Sequence, residues 1–431
     1  MQRILSRHLS AHVGTPVRLE GWVHRRRLLK STDFLVLRDR SGLAQVVVAE
    51  PAARVRLATL PEETVVRVDG RVELNERAPG GVEVVDPVIE PLTDPAEPAP
   101  FDLFRPELAA SLPTQLDHAA VALRHATRRA VFEVSAAAVA GFRAVLDQHG
   151  FVEVHTPKVV ASATESGANV FPVDWFGRPA FLAQSPQFYK QIMVGVFERV
   201  YEVGPVFRAE PHDTARHLAQ YTSLDVEVGF VTDHRDVMRV VRLALAGVVD
   251  AVAARAGAAL DVLGARLPQV PAEIPAVRFS EAVRMVGDAL GEDLTGEPDL
   301  APAHERWLGE WARREHGSAL LFVTGYPMAK RPFYTHPEPG RPAYSNSFDL
   351  LFNGVELVTG GQRLHRYRDY LAALRGVDLG PYEHYLRAFR HGMPPHGGFA
   401  IGLERLVAGL VGVPNVRQAA LFPRDVTRLV P

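Results

Sequence analysis

The stretch RVYEVGPVFRAE (residues 199–210), followed by the polar PHDTARHLAQ (211–220) and then YTSLDVEVGFV (221–231), decides the fold. Apolar and polar residues alternate at the period of a half-buried strand in both outer runs, so the three pieces read as strand, loop and returning strand. Similar runs follow in SFDLLFNGVELVTGG (347–361) and GGFAIGLERLVAGLVG (397–412), and AFLAQSP (180–186) and ALLFVTGYP (319–327) add shorter ones. Helical stretches such as DVMRVVRLALAGVVDAVAAR (236–255) lie between them. Strands in hairpin order, not βαβ alternation, predict an α+β domain around a mainly antiparallel sheet. Just upstream, Val131, Val134, Ala138, Phe142 and Val145 recur at helical spacing. That predicts a helix from Thr127, capped by Gly150 in the left-handed conformation and handing over to a strand in FVEVHTP (151–157).

Towards the N-terminus the texture is purely β. Five runs, VRLEGWVH, FLVLRD, LAQVVVAE, TVVRVDGRVEL and GVEVVDPVIE, are separated by Gly, Pro, Asn and Ser and predict a small closed barrel of the OB type. PLTDPAEPAP (91–100) is acidic and Pro-rich, and reads as a linker. The expected organisation is therefore a barrel over 1–90, a linker or hinge over 91–125 and the α+β domain over 126–431, with an insertion at about 232–279. The Ala/Val-rich helix of that insertion is open to three roles: core packing, a dimer contact or support of a bound partner.

Composition narrows the chemistry. The 431 residues include 48 basic and 50 acidic side chains and no cysteine, which excludes disulfides, thiolate metal sites and thiol nucleophiles. No apolar run approaches the ~20 residues of a bilayer span, and the start MQRILSRHLSAH lacks the apolar core of a signal peptide, so a soluble cytoplasmic protein is expected. The 17 histidines show no metal-ligand spacing, and no zinc is expected. A near-neutral balance argues against a nucleic-acid partner, but residues 1–30 hold seven basic side chains against Glu20 alone. Neither G-x-G-x-x-G nor G-x-x-x-x-G-K-[ST] is present, which argues against a Rossmann or P-loop nucleotide site.

Four clusters carry candidate chemistry. Arg208, Arg216 and His217 share the first hairpin and form either a polyphosphate clamp or a surface ion-pair hairpin. Arg405 follows a Gly-rich strand at the entry to a helix. Asp349 and Glu356 flank a turn at Asn353-Gly354, either as oxygen ligands for Mg²⁺ beside phosphates or as ordinary strand carboxylates. Gln187 and Lys190, in QSPQFYK, share a helix face.

Taken in order, these clusters resemble the class II aminoacyl-tRNA synthetases, and within them the short aspartyl-tRNA synthetases found in archaea and some bacteria. The helix and strand ending at Pro157 resemble motif 1, FRAE with its loop motif 2, and GFAIGLERL motif 3; QSPQFYKQ, TGGQRLH and FPRD add to the match, which runs from GWVHRRR to LFPRDVTRLVP. The resemblance implies an enzyme that activates L-aspartate with Mg²⁺-bound ATP and transfers it to the terminal ribose 3′-hydroxyl of tRNA(Asp). It implies that Arg208 holds the α-phosphate, Glu210 accepts from the adenine amino group, and Tyr221 and Arg405 sandwich the ring. Arg216 and His217 would meet the outer phosphates, and Asp349 and Glu356 would hold Mg²⁺. Lys190 and Arg363 would receive the substrate side-chain carboxylate, with Asp225 as counter-ion to Lys190, while Glu165 and Gln187 take the α-amino group. An uncharged amide would then leave two buried cations without counter-charge, which disfavours asparagine.

In the barrel, the resemblance assigns anticodon reading to Phe34, Gln45 and Arg27. His24 and Pro79 match variants that charge both tRNA(Asp) and tRNA(Asn), which implies a non-discriminating enzyme and a partner amidotransferase. Motif 1 implies a homodimer. The loop RRRLLKSTDF departs from the family pattern and sets Asp33 beside Phe34, where a carboxylate should weaken phosphate attraction. Three readings compete: an asparaginyl-tRNA synthetase, a paralogue passing aspartate to a non-tRNA amine, and a silent RNA-binding paralogue.

Overall fold

The computed structural model describes residues 2–163 and 169–430. The chain forms two compact units, residues 1–126 and 127–431.

The first unit is an OB-fold barrel, with strands β1 (Pro16–Arg27), β2 (Asp33–Asp39), β3 (Gly42–Val48), β4 (Val65–Leu74) and β5 (Val82–Pro91) closed in the order β1-β2-β3-β5-β4. Alternation sends Leu35, Leu37, Ala44, Val46 and Val48 into the barrel core. It leaves Phe34, Val36, Gln45 and Val47 on the outer face. A helix, α1 (Pro51–Ala58), joins β3 to β4 and was not expected. It starts at Pro51 behind a Glu50 cap that accepts from the Ala52 and Ala53 amides, and it buries only Leu57. Residues 92–110, beyond the last barrel strand, contain no helix or strand.

The second unit is built on a mixed eight-stranded sheet. Its strands are β6 (Val152–Glu153), β7 (Arg199–Phe207), β8 (Gln220–Gly229), β9 (Ala276–Arg278), β10 (Leu320–Thr324), β11 (Ser347–Phe352), β12 (Val355–Gln362) and β13 (His396–Gly402). They lie in the order β9-β10-β11-β12-β13-β8-β7-β6. The β6–β7 and β9–β10 pairs are parallel and the pairs between them antiparallel. FVEVHTP yields only two strand residues, because the Glu202 carboxylate accepts from the Thr156 amide and hydroxyl in place of a ladder partner.

Helices α2 (Ala126–Gln148) and α4 (His234–Arg255) contribute to the core cluster on one sheet face, with Leu224, Val226, Phe348, Leu350, Val358, Phe399 and Ile401. They approach closely: a Cβ on Gly141 would lie 2.5 Å from the Gly247 carbonyl oxygen. Of the three roles open to the Ala/Val-rich helix, core packing is the one observed. Helices α3 (Gln187–Phe197), α5 (Phe279–Leu290), α6 (Pro302–His316) and α7 (Leu403–Val411) complete the frame. The other sheet face is polar over β8, while towards β10 and β11 Leu321, Val323 and Leu351 join a second apolar cluster with residues of α5 and α6. Among the described residues no helix is long and apolar enough to cross a membrane.

Candidate active site

Strand β8 sets out the site. Period-two alternation puts Leu224 and Val226 in the core and Tyr221, Ser223, Asp225 and Glu227 on the opposite face. Beside it on β13, Gly398, Ala400 and Gly402 face the same way as those polar residues, and Gly398 leaves space that Glu227 fills. On β12, a bulge at Leu357 lets Glu356 and Thr359 share the polar face while Leu357 and Val358 both enter the core cluster. The β11–β12 turn is Asn353-Gly354, both residues at positive φ, as a tight hairpin of this kind requires.

At one end of this face lies an open cavity of about 320 Å³, whose lining includes Arg208, Glu210, Arg216, His217, Tyr221, Glu356 and Arg405. All seven residues expected to bind ATP are thus brought together. Gly402 forms the floor between Tyr221 and Arg405: a Cβ there would stand 3.8 Å from the tyrosine ring and 3.8 Å from Arg405 Cβ. That leaves a slot between the Tyr221 ring and the Arg405 side chain, suited to a planar heterocycle. The Arg208 guanidinium lies over the Tyr221 ring, 5.6 Å from its centre. Burial, together with Arg405 and Arg216, outweighs Glu210 and holds His217 below its ordinary pKa. His217 is therefore a neutral hydrogen-bonding group at pH 7, not a cation.

The loop carrying Arg216 is clasped from a distance. Arg208 N donates to the Ala219 carbonyl and Ala219 N to the Arg424 carbonyl. Arg417 donates to Asp425 (2.5 Å), the Thr214 carbonyl (3.0 Å) and Asp213 (2.6 Å). Asp425 belongs to the FPRD run, and nothing in the local spacing pointed to Arg417.

At the other end the same strand face runs into a buried cluster of charges. Lys190 Nζ donates to Asp225 (3.0 Å) and to the Phe399 (3.2 Å) and Val226 (3.4 Å) carbonyls, and lies 3.3 Å from Glu227. Arg363 Nε donates to Glu227 Oε1 at 3.1 Å. Burial raises the Glu227 pKa, but Arg363 and Lys190 outweigh it and keep the carboxylate below its ordinary value. The expected Lys190–Asp225 pair is present. Glu227 was missed, although the alternation that placed Asp225 on the polar face also reaches two residues further.

This geometry corrects one expectation. Lys190 and Arg363 are not left without counter-charge in the absence of a substrate carboxylate, since Asp225 and Glu227 already balance them. The argument against an amide from two orphaned cations therefore fails.

Gln187, at the start of α3, is buried and donates to Gln191 Oε1 at 2.9 Å. Gln191 also accepts from the Tyr385 hydroxyl (2.9 Å) and donates to Tyr370 (3.1 Å) and to His396 Nε2 (2.8 Å). Burial drives the His396 pKa down to about 4, so the ring is neutral and its Nδ1–H donates to the Pro394 carbonyl. Glu165 falls outside the described residues.

Asp349 does not line the cavity. Both its oxygens accept from Arg331 (3.2 and 3.0 Å). Burial and the nearby Asp349 raise the Glu356 pKa, against the opposing pull of Arg405 and Arg331. Two neighbouring carboxylates are a donor set suited to a divalent cation. Among the described residues no cluster of three or more His, Asp or Glu is arranged to hold a metal, so such an ion would take phosphate oxygens as co-ligands.

In the barrel unit, register places Arg27 opposite Phe34 and Gln45 opposite Val36, on one outer face. Gln45 donates to Glu83, which also accepts from Asn75 at the base of the loop bearing the exposed Pro79. His24 occupies a bulge in β1 beside Arg38 (3.1 Å), and burial together with Arg38 lowers its pKa to about 4. Asp33 turns to the opposite side of the strand from Phe34. It is buried, accepts from Arg54 and the Leu29 amide, and is held below its ordinary pKa by Arg54. Phe34 is half-buried, and the Asp33 carboxylate expected to weaken phosphate attraction beside it has its charge matched by Arg54.

A family model described as tRNA synthetases class II (D, K and N) matches residues 111–426, and one for an OB-fold nucleic acid binding domain matches 17–92. The chain belongs to the class II tRNA synthetases, ligases that act on ATP. It is 49% identical to the aspartate–tRNA(Asp/Asn) ligase of Thermus thermophilus over the whole of both chains, and 45% identical to that of Deinococcus radiodurans over 100% of this chain and 99% of the relative. The asparaginyl-tRNA synthetase of Pyrococcus horikoshii complexed with asparaginyl-adenylate superposes with a TM-score of 0.93 at 30% identity, covering all of both chains. A putative aspartyl-tRNA synthetase from Leishmania major gives 0.89 at 28%, covering 100% and 95%. Within its class, the chain is a member of the aspartate/asparagine ligase subgroup.

Proposed function

We propose that this enzyme activates L-aspartate with ATP and transfers it to tRNA(Asp) and also to tRNA(Asn). The observation that carries the reading is the continuity of one strand face, on which Tyr221 and Ser223 line the open cavity and Asp225 and Glu227 enter a buried cluster of charges. The slot between Tyr221 and Arg405 takes adenine, with Glu210 accepting from its amino group. Arg208 takes the α-phosphate, and Arg216 and neutral His217 the outer phosphates.

Glu356, with Asp349 behind it, would hold Mg²⁺, which supplies positive charge to the leaving pyrophosphate. Arg363 receives the side-chain carboxylate of aspartate. Lys190, whose three N–H groups have chain oxygens to meet, contributes field more than a hydrogen bond. Gln187, steadied by Gln191, and Glu165 take the α-amino group.

The substrate α-carboxylate attacks the α-phosphorus, the bond to the bridging oxygen breaks, and pyrophosphate leaves. The ribose hydroxyl then displaces AMP from the carbonyl carbon. Neither step needs a protein nucleophile; positioned cations where charge develops typically contribute ~3 kcal/mol each.

The outer barrel face of Arg27, Phe34 and Gln45, with His24 and Pro79 nearby in sequence terms, is assigned to the anticodon. The names of the Thermus and Deinococcus relatives favour dual tRNA use, whose Asp-tRNA(Asn) product would pass to an amidotransferase. Exposed Val152, Val196, Phe197 and Phe230 near the β6 edge support a homodimer, and a cytoplasmic location completes the reading.

The decisive experiment is aspartate-dependent ATP–pyrophosphate exchange, followed by charging of purified tRNA(Asp) and tRNA(Asn) separately. Exchange with asparagine in place of aspartate would overturn the amino-acid assignment. Charging of tRNA(Asp) alone would remove dual use.

A further inference from the structure

Helix α6 brings into the open cavity a carboxylate to which the functional reading gives no role. Glu305 lines that cavity, and its Oε2 accepts from Arg216 Nη1 at 3.1 Å. Its side chain is only 11% exposed. Arg216 lies on residues 208–219, which include no strand, and its backbone contacts there are few: its amide donates to Thr214 Oγ1 and its carbonyl accepts from Arg405. A long arginine on such a segment has many rotamers, and fixing one costs entropy that the ligand would otherwise have to offset.

Glu305 itself is rigidly placed. A Cβ on Gly309 of α6 would lie 2.5 Å from Gly354 Cα, and one on Gly354 would lie 2.8 Å from Arg306 Cα. The helix therefore rests directly on the Asn353-Gly354 turn, and Arg313 donates to the Asn353 side chain beside it. That turn joins the strands bearing Asp349 and Glu356, so the hairpin of the two carboxylates and the Arg216 loop meet through α6. The contact uses one guanidinium nitrogen, and a fork of five N–H groups has others to offer a phosphate.

We propose that Glu305 is a positioning residue that sets Arg216 for the outer phosphates of ATP. The proposal rests on the assignment of Arg216 to those phosphates. It is tested with the full-length enzyme and Mg²⁺-ATP, by pyrophosphate exchange and by calorimetric ATP binding. Glu305→Ala raises the KM for ATP and the ATP Kd about tenfold, leaves the KM for aspartate unchanged, and does not lower the melting temperature. Glu305→Gln, which keeps an acceptor for Nη1, recovers most of the loss. Arg216→Ala weakens ATP further, and the double variant is no worse than Arg216→Ala alone, because Glu305 acts through Arg216.

Unchanged or tighter ATP binding in Glu305→Ala would overturn the proposal, as would additive losses in the double variant. So would a parallel rise in both KM values with a lowered melting temperature, which would mark a structural role. Absence of aspartate-dependent exchange in the unmodified enzyme would remove the functional reading, while the calorimetric comparison would still decide the role of Glu305.

Discussion

Tyr221 and Glu227 stand on one face of one strand, yet the two ends of that face keep charge in different ways. Around Glu227 the cations and carboxylates are buried and matched within the chain, Lys190 and Arg363 against Asp225 and Glu227. Around Tyr221 the arginines are partly exposed, and the Arg208–Glu210 and Arg405–Glu356 contacts stretch to 4.0 Å. A matched, closed cluster resists rearrangement and so selects among small ligands by shape and hydrogen bonding. Partly exposed arginines around an open cavity are suited to a ligand that brings its own negative charge.

The comparison breaks most readily at its closed end. Arg363→Leu leaves Glu227 buried with Lys190 alone, which should cost about 3–5 kcal/mol of stability and abolish aspartate-dependent exchange. Urea unfolding reads the first effect; a variant as stable as the parent would show that the pocket is not dry. Arg208→Ala should act in the opposite sense. It lowers kcat/KM for ATP by roughly 10²–10³ while the urea midpoint stays nearly fixed, since a partly exposed arginine contributes little to stability. Equal losses in stability for the two variants would erase the distinction drawn here.

Two finer tests sharpen it. The folded pKa of His396, about 4, lies below the ordinary 6.5. Between those values the unfolded chain binds a proton that the native chain does not, so stability falls as pH drops from 6.5 towards 4, at ~1.4 kcal/mol per unit, and this contribution is flat above 6.5. His24, also held at about 4, adds a like contribution. Urea midpoints at pH 7, 6 and 5 should therefore fall more steeply than His396 alone requires, and His396→Gln should reduce the slope; an identical slope would place the titration elsewhere. Tyr385→Phe removes one donor to Gln191 and should cost ~1 kcal/mol. Its KM for aspartate should rise with that for ATP unaffected, and the reverse pattern would show that the Gln191 network serves the open cavity.

Much of this was legible in the sequence because both β regions follow a period of two. The same alternation gave the five barrel strands and the polar face of β8. Helix α1 was invisible because it buries Leu57 alone, and one buried residue leaves no amphipathic stripe. FVEVHTP promised a full strand and gave two residues, since a carboxylate from β7 replaced the ladder beyond Glu153. Seven residues of the open cavity were named through the family resemblance of their motifs, but Glu305, Arg331 and Arg417 were not. Glu305 and Arg417 reach Arg216 and Asp213 across 89 and 204 residues, and no spacing rule links such partners; Arg331 and Asp349, 18 apart, meet only through the fold. The buried charge cluster was half legible: Lys190 and Asp225 were paired correctly, while the omission of Glu227 made two balanced cations look unbalanced.

The clasp on the Arg216 loop has a consequence for the order in which this enzyme is made. Residues 208–219 leave the ribosome about two hundred residues before Arg417, Arg424 and Asp425, which hold them through Asp213, Thr214 and Ala219. During synthesis the sheet strand that precedes this loop can already be paired while the loop still lacks its fastening. A chain interrupted between β13 and Arg417 would thus retain all eight strands of its sheet yet carry the Arg216 loop without this fastening.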